Sequence, residues 1–172
     1  MKEDRVAKAI ALFKEGYNCS QSVVAAFADE YGFTREQALR MAASFGGGIG
    51  RMRETCGAAC GMFLLAGLET GATEGSDREG KAANYALVQE LAEEFKRRNG
   101  ALRCADLLGL SKKEPVISTP EARTEQYYAK RPCVKIVEEA AKIWSEYLEM
   151  HKKQLRKSLF LIENKTFLIQ TC

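Results

Sequence analysis

Six cysteines and one histidine are the residues of this 172-residue chain whose types suit redox or metal chemistry. The cysteines are Cys19, Cys56, Cys60, Cys104, Cys133 and Cys172. A thiol can pack as a small hydrophobe, pair in a disulfide, react as a thiolate or ligate a metal. Three positions favour the thiolate: Cys56 directly follows Thr55, a possible helix cap, Cys133 directly follows Pro132, and Cys19 lies beside Ser20. First-turn amides point outward unpaired and the helix dipole favours negative charge there, which lowers a thiol pKa. A nucleophile and a metal ligand need that same setting. Cys56 and Cys60 sit four apart, so on a helix their β-carbons lie about 5–6 Å from each other. A relaxed disulfide wants about 3.5–4.5 Å. The pair suits a shared metal site or an attacking and a resolving thiol, and Cys60 as core filler is the simpler reading. Cys19, Cys56, Cys104 and Cys133 are spread along the chain and form no CxxC unit. A four-thiolate site made from them has to be assembled by tertiary structure.

The surroundings of Cys56 are unusually small. Gly57 and Gly61 fall on one face with Ala58 beside them, clearance for a neighbouring helix or a bulky inorganic group. The preceding FGGGIGRMRET lacks the Walker lysine followed by Ser or Thr, and no strand precedes it as a dinucleotide fingerprint requires. A loop that folds its amides, including those of Gly47 and Gly48, around a charged cofactor fits better. Arg51 and Arg53 flank this loop. Surface solvation is their default, and beside an anionic cluster either guanidinium offsets its charge. His151, next to Lys152 and Lys153, reads as exposed, and Asp106 as a local cap.

The elements that must position these residues are helices. Val6, Ile10, Phe13 and Tyr17 recur at helical spacing, and Ser20 can cap a second piece carrying Val23, Val24 and Phe27. TREQ at 34–37 is a capping box before Ala38, Met41, Ala42 and Phe45. Thr55 can cap a helix over 56–70. Asp77 or Ser76 can start a longer one with Tyr85, Val88, Leu91, Ala92 and Phe95 on its buried face, closed by Asn99-Gly100. Residues 111–120 read as a connector, and 119–133 as one or two helical turns. Pro132 suits the first turn of a strong helix with Cys133, Val137, Ala140, Trp144 and Leu148 on one stripe. The expectation is an all-α, compact, bundle-like domain over 1–150. A basic, then apolar extension over 151–172 follows, as a strand, a short helix or a swapped arm packed on the domain or a partner subunit.

A formal charge of +3 is too small for a nucleic-acid face, and 46% apolar residues argue against disorder. The N-terminus shows no export signal and CGMFLLAGL is too short to span a bilayer, so no membrane insertion and a cytoplasmic location are expected. In that compartment structural disulfides are a poor default.

The cysteine pattern resembles a family of small redox-active bacterial proteins named for a C…GCAxxG…C…C arrangement, written more accurately as CGAxxG. Here the motif is Cys56-Gly57-Ala58-Ala59-Cys60-Gly61, preceded by FGGGIGR. The family's upstream cysteine matches Cys19 in EGYNCSQSV, and its two downstream ones match Cys104 and Cys133, over residues 5 to about 148. A similar domain occurs in split-Soret cytochromes c, where it looks like an iron–sulfur module, but this chain has no CxxCH for haem. The resemblance leaves Cys60 and Cys172 accessory.

Three functions follow as expectations. The first is a metal site on Cys19, Cys56, Cys104 and Cys133, a [2Fe–2S] cluster with Gly47, Gly48, Gly57 and Arg51 around it, serving electron transfer or redox sensing. The second is metal-free thiol chemistry in which Cys56 attacks and Cys19, Cys104 or Cys60 resolves. The third is a structural zinc site or plain packing. A redox protein partner and a homo-oligomer joined through the C-terminal arm complete the picture, and no motif assigns an enzymatic reaction.

Overall fold

The computed structural model describes residues 4–111 and 115–170. Eight α-helices occupy them: α1 (Arg5–Lys14), α2 (Cys19–Phe27), α3 (Arg35–Ala42), α4 (Gly57–Thr70), α5 (Arg78–Asn99), α6 (Cys104–Leu107), α7 (Glu125–Lys130) and α8 (Cys133–Gln170). Short 3-10 turns, Ala28–Tyr31 and Ala43–Phe45, follow α2 and α3. Among the described residues there is no strand, only an isolated antiparallel bridge between Thr55 and Arg103. The all-α expectation holds.

Side-chain caps set most of the helix starts. Asp4 accepts from the amides of Val6 and Ala7, and Asp77 from that of Gly80. Thr34 and Gln37 close the expected capping box. The start of α2 differs from the sequence reading, because its cap is Asn18 rather than Ser20. Asn18 and Gln21 bond reciprocally, the Asn18 amide group reaches the Ala43 carbonyl at 2.8 Å, and Ser20 is fully buried. An asparagine cap satisfies the same orphan amide and also ties α2 to the end of α3. At α4 the cap position belongs to Cys56, not Thr55.

The core forms where α2 packs between α1 and α4, with α8 laid across them and α5 closing the far side. Phe13, Phe27, Met62, Leu65, Phe95 and Trp144 are fully buried there. The α8 stripe of Val137, Ala140, Trp144 and Leu148 is buried as its spacing predicts. On α5 the buried line is Leu87, Leu91 and Phe95, and Tyr85 is 62% exposed. The helix packs mainly on α4 and α8, so its apolar stripe is narrower than the run of apolar residues suggests. Arg98 fastens α5 to α8 through Glu146 at 2.5 Å.

The C-terminal segment also differs from the expected strand or short helix. The α8 backbone runs unbroken through 158 to Gln170. No proline or glycine interrupts it, and Lys, Gln, Leu, Arg and Glu are good helix formers. His151 is half-buried and stacks on Tyr147, ring centroids 5.7 Å apart, so its exposure was overread. Leu155 and Phe160 are exposed. Cys172 lies outside the described residues. Among those residues no helix is long and apolar enough to cross a membrane.

Candidate functional site

Each of the four spread-out cysteines stands at a helix start. Cys19 is the first residue of α2, Cys56 the cap of α4, Cys104 the first residue of α6 and Cys133 the first of α8. Two are joined through backbone. The Cys56 amide donates to the Leu102 carbonyl at 2.9 Å, and the amides of Cys104 and Ala105 donate to the carbonyls of Glu54 and Arg53 at 2.6 and 3.0 Å. With the Thr55–Arg103 bridge this antiparallel crossing fixes Cys56 and Cys104 side by side. The other two act on each other through their sulfurs, Cys133 holding the Cys19 pKa up and Cys19 holding that of Cys133 down. All five described cysteines are free thiols. Cys56, Cys60 and Cys104 are buried, Cys19 and Cys133 half-buried.

The glycine loop is a left-handed turn. Gly47, Gly48, Ile49, Gly50 and Arg51 all have positive φ, between 56° and 75°, and Arg53 follows at 65°. For β-branched Ile49 this is a true outlier, and such residues cost on the order of 1–3 kcal/mol each. Wide backbone bonds hold the turn: Gly50 to Ser44 (2.6 Å), Arg51 to Gly46 (3.2 Å), Arg53 to Gly47 (3.3 Å) and Glu54 to Gly48 (3.1 Å). Gly48 in the turn and Gly57 at the start of α4 are points of close approach. A Cβ on Gly48 would lie 2.6 Å from the Cβ of Cys104, and one on Gly57 would lie 2.7 Å from the Phe45 carbonyl and 3.4 Å from the Cys19 Cβ. The clearance expected around Cys56 is therefore filled by backbone and by the other cysteines' stems.

The thiols lie within one another's electrostatic reach. The Cys19 pKa is held well above the ordinary thiol value, first by its hydrogen bond to Cys133, then by burial and the charges of Cys56, Cys133 and Cys104. Burial pushes Cys56 up to about 12, although the amides of Ala58 and Ala59 pull the other way. Cys104 is raised by burial, against the Arg53 guanidinium bonded to its sulfur. Cys133 alone is lowered, by the Cys19 hydrogen bond and then by Arg131, Arg123 and Arg53. A helix start thus favours the thiolate at Cys56 as expected, but desolvation outweighs it. Cys60 donates to the Thr55 carbonyl at 3.7 Å, and burial raises it to about 11.

Of the two arginines singled out, Arg53 faces the thiols. Arg51 turns to the connector, its Nε 3.0 Å from the Ile117 carbonyl. Sequence reading missed Arg123 and Arg131. They grip the Tyr127 ring at 4.6 and 5.0 Å to its centroid, beside Cys133. Arg123 also lies over Phe13 at 4.6 Å and donates to the Tyr17 carbonyl at 3.3 Å. The aromatic pair Tyr127-Tyr128 bracketed by these arginines was the available signal. As the side chains stand, no three His, Cys, Asp or Glu residues among those described are grouped so that they could hold a metal ion. The chemistry of the donor set still fits a thiolate-ligated centre, with four thiols at one end of the bundle and three guanidiniums to offset negative charge.

No curated protein and no solved structure matches the chain. A family model described as "Putative redox-active protein (C_GCAxxG_C_C)" matches residues 17–147, a span that holds all four of these cysteines, the left-handed turn and the α8 stripe as far as Trp144. The chain belongs to the C_GCAxxG_C_C family of redox-active proteins.

Proposed function

We propose that Cys19, Cys56, Cys104 and Cys133 ligate an iron–sulfur cluster, [2Fe–2S] in the simplest case, that exchanges electrons with a redox protein partner or senses redox state. The observation that carries this reading is that four thiols from four helix starts lie within one another's electrostatic reach, beside the glycine-rich turn. When bound, such a cluster supplies one-electron chemistry. The chain's own residues have distinct parts. The Thr55–Arg103 crossing holds Cys56 and Cys104 in a fixed relation. Half-buried Cys19 and Cys133 adjust by side-chain rotation, which closing a ligand sphere from the present arrangement requires. Arg53, Arg123 and Arg131 offset thiolate charge, and the Ala58 and Ala59 amides favour the thiolate of Cys56. Protein purified without oxygen is expected to be coloured and to carry iron and acid-labile sulfide. Colourless protein without either overturns the reading, and stoichiometric zinc in their place assigns the site to a structural ion.

The Cys19–Cys133 hydrogen bond favours a second reading, metal-free thiol chemistry. In it the Cys133 thiolate, rather than Cys56, attacks an oxidised partner's disulfide, and Cys19 displaces the reduced partner. One disulfide is consumed and one formed, with the Cys19 proton leaving on the partner thiol. Trapping of a mixed disulfide on Cys133 in a Cys19→Ser variant supports it. Equal, slow alkylation of every thiol excludes it.

A further inference from the structure

A cavity of about 280 Å³ opens on the other side of the left-handed turn from the core, between that turn, α6 and the connector. Its charged lining is Arg51, Arg53, Arg103 and Arg131 against Asp106 and Glu121. We propose that this cavity binds a small organic anion, its phosphate or carboxylate head held by Arg51, Arg53 and Arg131 beside Cys104, its apolar body laid on Leu110, Val116 and Ile117.

The cations outnumber their counter-charges. Arg103 is drawn to Glu54 at 3.3 Å. Glu121 serves two guanidiniums, bonding Arg131 directly and lying 3.9 Å from Arg51. Arg53 faces the Cys104 sulfur. Arg51 and Arg131 are only 16% and 17% exposed, so water screens their repulsion poorly. Burial and the charges of Arg53 and Arg131 hold Arg51 below its ordinary pKa. Left to itself such a cluster is costly, and a planar or tetrahedral oxyanion is the partner that guanidinium forks fit best. The backbone of Arg51 and Arg53 is left-handed, a conformation non-glycine residues rarely adopt, at the point where the two side chains reach this cavity. Val116 and Ile117 are 62% and 56% exposed at its rim, uncovered apolar surface that an inorganic ion leaves bare and an organic body covers. Arg53 and Arg131 also face the thiols, so an anionic centre on the cysteines weakens the cavity's hold on its anion without abolishing it, Arg51 being left to the cavity.

The experiment is calorimetric titration of the anaerobically purified full chain with phenyl phosphate, inorganic phosphate and phenol at matched ionic strength, with iron measured on each preparation. Phenyl phosphate is expected to bind saturably with one site per chain, several-fold tighter than inorganic phosphate, with no binding of phenol, whatever the iron content. Arg51→Gln is expected to weaken it about tenfold, the loss of a charge-assisted pair. Glu121→Gln, on an exposed side chain, is expected to tighten it several-fold by freeing Arg131, a gain that misfolding cannot imitate. Absence of saturable binding, or one affinity shared by wild type and both variants, overturns the proposal.

Discussion

The two halves of the cysteine site are held in different ways. Cys56 and Cys104 are buried and set by backbone, each anchored by its own amide in the crossing of 54–56 with 102–105. Cys19 and Cys133 are half-buried and meet only through their sulfurs, at the starts of two helices whose positions depend on the packing of α1, α2 and α8. One half is fixed before any ligand or partner arrives, and the other is free to respond. For the proposed cluster that division is apt: a rigid pair would define geometry, and the half-buried pair would face a partner.

The largest effect expected is from breaking the rigid half. Gly48→Ala forces a left-handed residue and drives a methyl within 2.6 Å of Cys104 and 2.8 Å of the Glu54 amide. Together these should cost about 3 kcal/mol. Gly50→Ala shares the positive φ but meets nothing within 4 Å, so about 1 kcal/mol is expected. Urea denaturation of the two variants separates steric contact from backbone strain, and equal losses would remove the turn's role as a spacer for Cys104.

The next prediction concerns reactivity. In metal-free protein Cys133 should alkylate first, about tenfold or more ahead of Cys56 near neutral pH, because the former is lowered and the latter stands near 12. Time-resolved mass spectrometry at several pH values reads this order. Cys133→Ala should then speed alkylation of Cys19, whose pKa is held up first by its bond to Cys133. An unchanged Cys19 rate would dissolve the idea of a coupled pair.

The smallest effect lies away from the thiols. Arg5 holds Asp29 down to about 2, and Arg97 with Arg98 does the same for Glu94. A carboxylate lowered in the folded state stabilises it above the unfolded pKa, near 4, and that contribution is lost as pH falls toward 2. Asp29 is 56% exposed and Glu94 30%, so each pair is worth only a few tenths of a kcal/mol and fades with salt. Acid melts of Asp29→Asn should be shallower between pH 4 and 2, with thiol reactivity at neutral pH unchanged.

The helices were largely legible because their signals are local. The Thr34 box, the Asp77 cap, Gly100 after α5 and the α8 stripe all lie within a few residues of the element they define. Errors arose where a distant segment competed. Asn18 displaced Ser20 as cap because its amide group also reaches Ala43, and Tyr85 fell outside the core because no helix covers it. The straight continuation of α8 was missed because its apolar residues suggested a separate element. Of the site, the cysteines and the glycine loop were legible by type, whereas Arg123 and Arg131 were marked only by the Tyr127-Tyr128 pair between them, which does not say that they face Cys133.

Sequence alone determined that the chain is helical, that Cys19, Cys56 and Cys133 lie at helix starts and that a glycine-rich stretch precedes Cys56. Caps, glycines and 3.6-residue periodicity act over one or two turns, so they are written in adjacent residues. Tertiary structure alone decided which thiols pair, which one is lowered and which arginines face them. Those outcomes depend on residues far apart in the chain and on the competition between desolvation and neighbouring charge, which exists only once burial is set.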